Sequence, residues 1–237
     1  MALGTTAVDT SSVEFVSDGA TITGFLAKPA TAAKLSPAIV IIHEWWGLND
    51  HIREIARRFA QEGYVALAPD LYSRQGHKVT KDATEAASLM NALSSQAVLR
   101  DLNVATKFLK QQPGVEPARV AILGFCMGGT FAINQAMQNS DLKAAVIFYG
   151  KVPPIESFKY QLCPILYHYG AQDGWVTKQE VDILKQGLQQ HGKPGEVIVY
   201  PEAGHAFFND TRPDAYRPKE AAEAWQRTLR FLAQHVR

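Results

Sequence analysis

The sequence predicts an α/β protein: a mostly parallel sheet with an N-terminal antiparallel hairpin and helices on both faces. Three observations carry that expectation. Short apolar, β-branched runs alternate with longer segments of helical period, the signature of parallel βαβ units. An alternating stretch around Asp18-Gly19 marks a hairpin ahead of the first unit. A chain of 237 residues with 46% hydrophobic content buries a substantial core without staples. No repeat, low-complexity tract or linker interrupts it, so one domain is expected over residues 1–237, with residues 71–97 as an excursion covering the site.

The hairpin arms are residues 13–16 and 22–28, and residues 37–42 form a fully buried strand. Asn49-Asp50 caps a helix that runs to Glu62, with Gly63 at its C-terminal end; Val65-Ala-Leu-Ala then forms the next strand before Pro69-Asp70. From 71 to 97 the apolar pattern weakens, which marks a long excursion holding a helix. Leu102, Ala105, Phe108 and Leu109 share one face of a helix over 98–110, ended by Pro113-Gly114. Strand 119–123 leads into a helix that Gly128-Gly129 open. Strands at 142–148 and 164–169, a helix over 178–191, a strand at 196–200 and a closing helix over 218–235 complete six parallel strands plus the hairpin.

Charge and cysteine usage exclude several classes. Lys and Arg number 24 against 23 Asp and Glu, with no basic run, so neither nucleic acid nor an anionic membrane meets a matching patch. Cys126 and Cys163 make no CxxC pair and no metal spacing, which argues against a disulfide framework or a zinc site and for a reducing compartment. The opening residues resemble no secretory signal, and the longest aliphatic runs fall far short of the ~20 residues of a membrane span. A cytoplasmic monomer or homodimer acting on a small, roughly neutral ligand is expected.

Ala121-Ile-Leu-Gly-Phe-Cys-Met-Gly-Gly-Thr130 is the most informative stretch. A buried strand ends at Gly124, Cys126 follows, and glycines open a helix: G-x-C-x-G, where hydrolases usually carry G-x-S-x-G. Glycines two positions either side of a nucleophile relieve a strained strand-to-helix turn, and a helix N-terminus favours thiolate. Spacing alone leaves Cys126 equally open to being a small buried hydrophobe. A cysteine nucleophile needs a base and an orienting acid, in chain order nucleophile, acid, base, at carboxyl ends of strands. Asp173 after strand 164–169 and His205 after strand 196–200 satisfy both conditions, although Asp173-Gly174 could simply form a turn and His205 could be a loop residue. Glu202 is the next candidate acid.

His43-Glu44-Trp45-Trp46-Gly47 follows the first buried strand. No second histidine stands one turn on, so the motif is not a zinc H-E-x-x-H. A loop in this position supplies one oxyanion-hole N–H in hydrolases, here Trp45, with the other from Met127. By position alone Glu44 reads as a surface carboxylate.

Together these motifs, with Pro69-Asp-Leu-Tyr-Ser-Arg74 and Glu202-Ala-Gly-His205-Ala-Phe207, resemble the dienelactone hydrolase family of α/β-hydrolases over nearly the whole chain. The resemblance implies a Cys126–His205–Asp173 triad, a Glu44 that contacts the resting thiol and helps generate thiolate, and hydrolysis of esters or lactones without a cofactor or metal. It also implies arginines that bind a substrate carboxylate. One of those positions is Asn209 here, and residues 81–90 hold no arginine, so neutral or aryl esters are favoured. Trp46, Tyr72, Arg74, Trp175 and Phe207 are the candidate substrate-binding residues, with Trp45 and Phe208 as further aromatic wall. Two other readings remain: hydrolysis of activated phosphoesters at the same thiol, and a binding module without turnover.

Overall fold

The computed structural model describes residues 7–31 and 34–236. Its eight strands are β1 (Val8–Ser17), β2 (Ala20–Pro29), β3 (Ser36–Ile42), β4 (Val65–Pro69), β5 (Val115–Phe125), β6 (Leu142–Phe148), β7 (Ile165–Gly170) and β8 (Gly195–Tyr200). They hydrogen-bond in the order β1-β2-β4-β3-β5-β6-β7-β8. The helices are α1 (Asp50–Gln61), α2 (Ala83–Asn91), α3 (Ser95–Lys110), α4 (Met127–Ala136), α5 (Lys178–Gln190) and α6 (Pro218–Val236). Two compact units divide the chain, residues 1–120 and 121–237.

In the first unit the hairpin pairs Val8 with Pro29 through Ser17 with Ala20, and Asp18 and Gly19 at its tip both take positive φ. β2 then pairs antiparallel with β4, while β3 and β4 run parallel. Every residue of β3 and β4 is buried, which is why both read as unbroken apolar runs rather than alternating ones. Asn49 caps α1, its side chain accepting from the Ile52 N–H at 3.2 Å.

In the second unit β6, β7 and β8 are parallel, in register from Ala145 with Ile165 and from Ile165 with Gly195. α4 packs on β6, α6 on β6 and β7, and α5 on β8 and a short 3₁₀ segment, Ile155–Tyr160, that the sequence does not announce. A full capping box starts α5: the Thr177 hydroxyl accepts from the Glu180 N–H, and the Glu180 carboxylate accepts from the Thr177 N–H.

The excursion over 71–97 contains a 3₁₀ turn, Ser73–Gln75, and α2, and α3 starts at Ser95 rather than at 98. β5 starts at Val115, four residues ahead of the expected strand, because the exposed stretch Pro117, Ala118 and Arg119 separates buried Val115 from the buried run and so hides the strand's start.

Candidate active site

The end of β5 and the start of α4 form a turn that only glycine neighbours permit. Cys126 sits at φ 55°, ψ −119°, a conformation that costs an L-residue on the order of 1–3 kcal/mol. A Cβ on Gly124 would lie 2.0 Å from the Gly128 carbonyl oxygen, and one on Gly129 would lie 2.8 Å from that of Phe148. Gly150 faces the same crossing, with its virtual Cβ 2.4 Å from the Gly129 carbonyl carbon. The Cys126 N–H donates to the Phe148 carbonyl at 3.0 Å, so β6 holds the turn from the side. The Cys126 carbonyl accepts from the Thr130 N–H at 3.1 Å, which places the residue at the helix N-terminus, where a developing negative charge is favoured.

Two further turns follow the ends of β7 and β8. Asp173 is fully engaged: one carboxylate oxygen accepts the N–H groups of Trp175 and Val176 at 2.7 and 2.9 Å. The other lies 2.8 Å from His205 Nδ1. The turns interlock through backbone. The Tyr200 carbonyl accepts from both Ala171 and Ala203 N–H, Gln172 N–H donates to Ala203, and a Cβ on Gly170 would stand 2.6 Å from the carbonyl oxygens of Ala203 and Gly204.

Under these turns His168 is fully buried, with Nδ1 2.9 Å from the Tyr200 hydroxyl and Nε2 3.0 Å from the Thr228 hydroxyl. Burial, with Arg227 adding to it, pulls its pKa down to about 3, so the ring is neutral. The imidazole of His205 is gripped edge-on by two aromatic rings, Tyr149 and Trp175, each with its centroid 5.0 Å away. Tyr149 directly follows Phe148, whose carbonyl receives the Cys126 N–H, so the cysteine turn and the imidazole share one support at the end of β6. Sequence reasoning missed Tyr149; its signal was a polar aromatic at a strand's carboxyl end followed by glycine.

Cys163 offers a contrast. Burial drives its thiol up to about 12, so it has no thiolate to offer at neutral pH.

In the first unit the loop after β3 is held rigidly. The Leu71 N–H donates to His43 Nε2 at 3.1 Å, which leaves Nδ1 as the protonated nitrogen, donating to the Glu44 carbonyl at 2.5 Å. Burial lowers the His43 pKa despite Asp70, keeping that tautomer neutral. The Tyr72 hydroxyl donates to the Trp45 carbonyl at 2.8 Å, and a Cβ on Gly47 would lie 2.2 Å from the Lys78 carbonyl oxygen. Glu44 is 2% exposed, a burial that its sequence position gave no reason to expect.

The substrate-binding candidates divide. Trp46 and Trp175 are part-exposed. Tyr72 and Phe207 are wholly buried: the first supports the Trp45 loop, and the second packs on Tyr149, Tyr200 and Phe148 as core. Arg74 binds Asp101 and the Ser17 carbonyl, which gives it a structural tie between the 3₁₀ turn, α3 and the hairpin. Asn209 is buried, and its side-chain oxygen accepts from the N–H and hydroxyl of Thr211, shaping its own turn. Among the described residues no cluster of His, Cys, Asp or Glu could hold a metal ion.

A mostly parallel sheet in this strand order, interrupted by a glycine-walled turn between strand and helix, defines the α/β-hydrolase class. The family model for dienelactone hydrolases matches residues 22–236, and the chain belongs to that family. It is 36% identical over 233 residues to a Yersinia pestis protein provisionally named a carboxymethylenebutenolidase, covering 92% of this chain and 86% of that one. It is 33% identical to a Bradyrhizobium protein provisionally named a 2-oxo-3-(5-oxofuran-2-ylidene)propanoate lactonase, covering 100% and 98%. A Klebsiella pneumoniae crystal structure, described provisionally as a dienelactone hydrolase, superposes with a TM-score of 0.91 at 33% identity, covering 97% of this chain and all of that one.

Proposed function

We propose that the protein hydrolyses carboxylic esters or lactones through a thioester acyl-enzyme on Cys126. The observation that carries this reading is the His205–Asp173 pair. With Nδ1 held at 2.8 Å by a carboxylate that two backbone N–H groups already orient, Nε2 is the nitrogen left to serve the thiol. In the first half-reaction the Cys126 sulfur bonds to the carbonyl carbon, the C–O bond to the alcohol portion breaks, and His205 gives its proton to the departing oxygen. In the second, His205 takes a proton from water, whose oxygen bonds to the acyl carbon as the thiolate leaves. The Met127 N–H, at the start of α4, supplies an oxyanion donor. Glu44 and the Trp45 N–H enter by family resemblance, as the activating carboxylate and the second donor.

The substrate class proposed is neutral or aryl esters and lactones. Its support is the turn role of Asn209, the structural pairing of Arg74 and the aromatic grip of Tyr149 and Trp175 on the imidazole. The name of the Bradyrhizobium relative specifies a carboxylated lactone, so a panel pairing neutral with carboxylated lactones tests the class directly. The mechanism is tested by hydrolysis of p-nitrophenyl acetate with intact-mass detection of the acyl adduct. An adduct on Cys126 and loss of turnover in Cys126→Ala are expected; retained turnover would overturn the reading.

A further inference from the structure

Lys151 ties together pieces surrounding His205, and its sequence position, one residue past a glycine after β6, gave no hint of this. Its backbone N–H donates to the Thr130 hydroxyl at 2.9 Å, anchoring it to the first turn of α4. Its ammonium donates to the Trp175 carbonyl and, at 3.0 Å, to Glu180 Oε2, the same oxygen that closes the capping box of α5. The nitrogen also stands 5.1 Å from the Trp175 ring centroid, within reach of a cation–π attraction. Trp175 in turn donates its backbone N–H to Asp173 and lays its ring against His205. A lysine has three donors on a flexible stem; here two are committed to fixed acceptors on one turn and one helix cap.

We propose that Lys151 is a positioning residue for hydrolysis: it holds Trp175 by both carbonyl and ring, so that the indole keeps the His205 imidazole aligned for proton transfer. The proposal rests on the reading of His205 as the catalytic base. Lys151 itself touches no reacting atom. Because Glu180 neutralises the ammonium, its role is mechanical and does not extend to attracting a substrate carboxylate. Misalignment on the scale of a freed side chain lowers the chemical step more than binding.

The test is a double-mutant cycle with p-nitrophenyl acetate, using Lys151→Met, Trp175→Ala, their combination and Lys151→Arg, with melting temperature measured for each. Lys151→Met is expected to lower kcat roughly tenfold while KM stays within about twofold. In the Trp175→Ala background the same change should alter kcat by less than about twofold, because the ring through which Lys151 acts is gone. Lys151→Arg, which keeps a cation able to donate to Glu180 and to sit over the Trp175 ring, should recover part of the kcat that Lys151→Met loses. Wild-type kcat in Lys151→Met, equal losses in both backgrounds, or no recovery with arginine would each overturn the assignment. Cys126→Ala run alongside separates the two levels: activity retained there removes the thiol reading, whereas an additive cycle with Cys126→Ala inactive removes only the role of Lys151.

Discussion

His168 makes stability depend on pH in a calculable way. The folded ring sits at about 3 against an ordinary 6.5, so between those values the unfolded chain holds a proton that the folded chain does not. Stability from this group is therefore complete above about pH 7 and falls as the pH drops through 6.5, levelling only near 3. The full shift corresponds to about 5 kcal/mol, and between pH 7.5 and 5.0 the loss works out at about 2 kcal/mol. His43, also lowered by burial, acts in the same direction, so the two must be separated by difference. His168→Gln does so, because an amide retains a donor and an acceptor for Tyr200 and Thr228 without titrating. Urea unfolding at both pH values, extrapolated to water, should show the variant losing about 2 kcal/mol less than wild type on acidification. Equal losses, within about 0.5 kcal/mol, would refute the claim that the buried neutral ring is what the fold protects.

Three other outcomes follow, two from the geometry and one from the family resemblance. Asp173→Asn keeps an acceptor for the Trp175 and Val176 N–H groups but turns a donor toward His205 Nδ1, so kcat should fall by about 10²-fold or more with little change in melting temperature. Gly124→Ala places a methyl against the Gly128 carbonyl, and chemical denaturation should report a loss of about 3 kcal/mol. Glu44→Gln should slow alkylation of Cys126 by iodoacetamide, followed by mass spectrometry, if Glu44 assists thiolate formation; an unchanged rate assigns its burial to packing alone.

Much of this was legible because the informative residues are local. Gly124, Gly128 and Gly129 announce a backbone crossing from within six residues, and the contacts that would exclude a Cβ are found where that spacing predicts them. The strands β3, β4 and β7, buried throughout, and β6, buried except for Lys143, declare themselves by largely apolar runs. What escaped has a physical reason in each case. The helix expected inside the excursion is α2, but its bounds could not be read because it buries a single residue, Ala86, and so has no apolar stripe. Near its start β5 carries an exposed stretch, Pro117 to Arg119, that includes a proline. Tyr72, Phe207 and Arg74 sit beside strands that carry chemistry, yet their side chains serve packing and pairing; residue type near a site does not say which way a side chain turns. Lys151 was invisible because its partners, Thr130, Trp175 and Glu180, come from three separate segments.

The contacts that fix the unusual backbone of Cys126 are made by main-chain atoms: its N–H on Phe148, its carbonyl on Thr130, and glycines pressed against carbonyls on either side. The backbone shape at position 126 is therefore separable from the side chain it presents. The turn is a socket whose shape is set before its side chain is chosen, and a serine or a selenocysteine installed at position 126 would inherit the same presentation at the tip of α4.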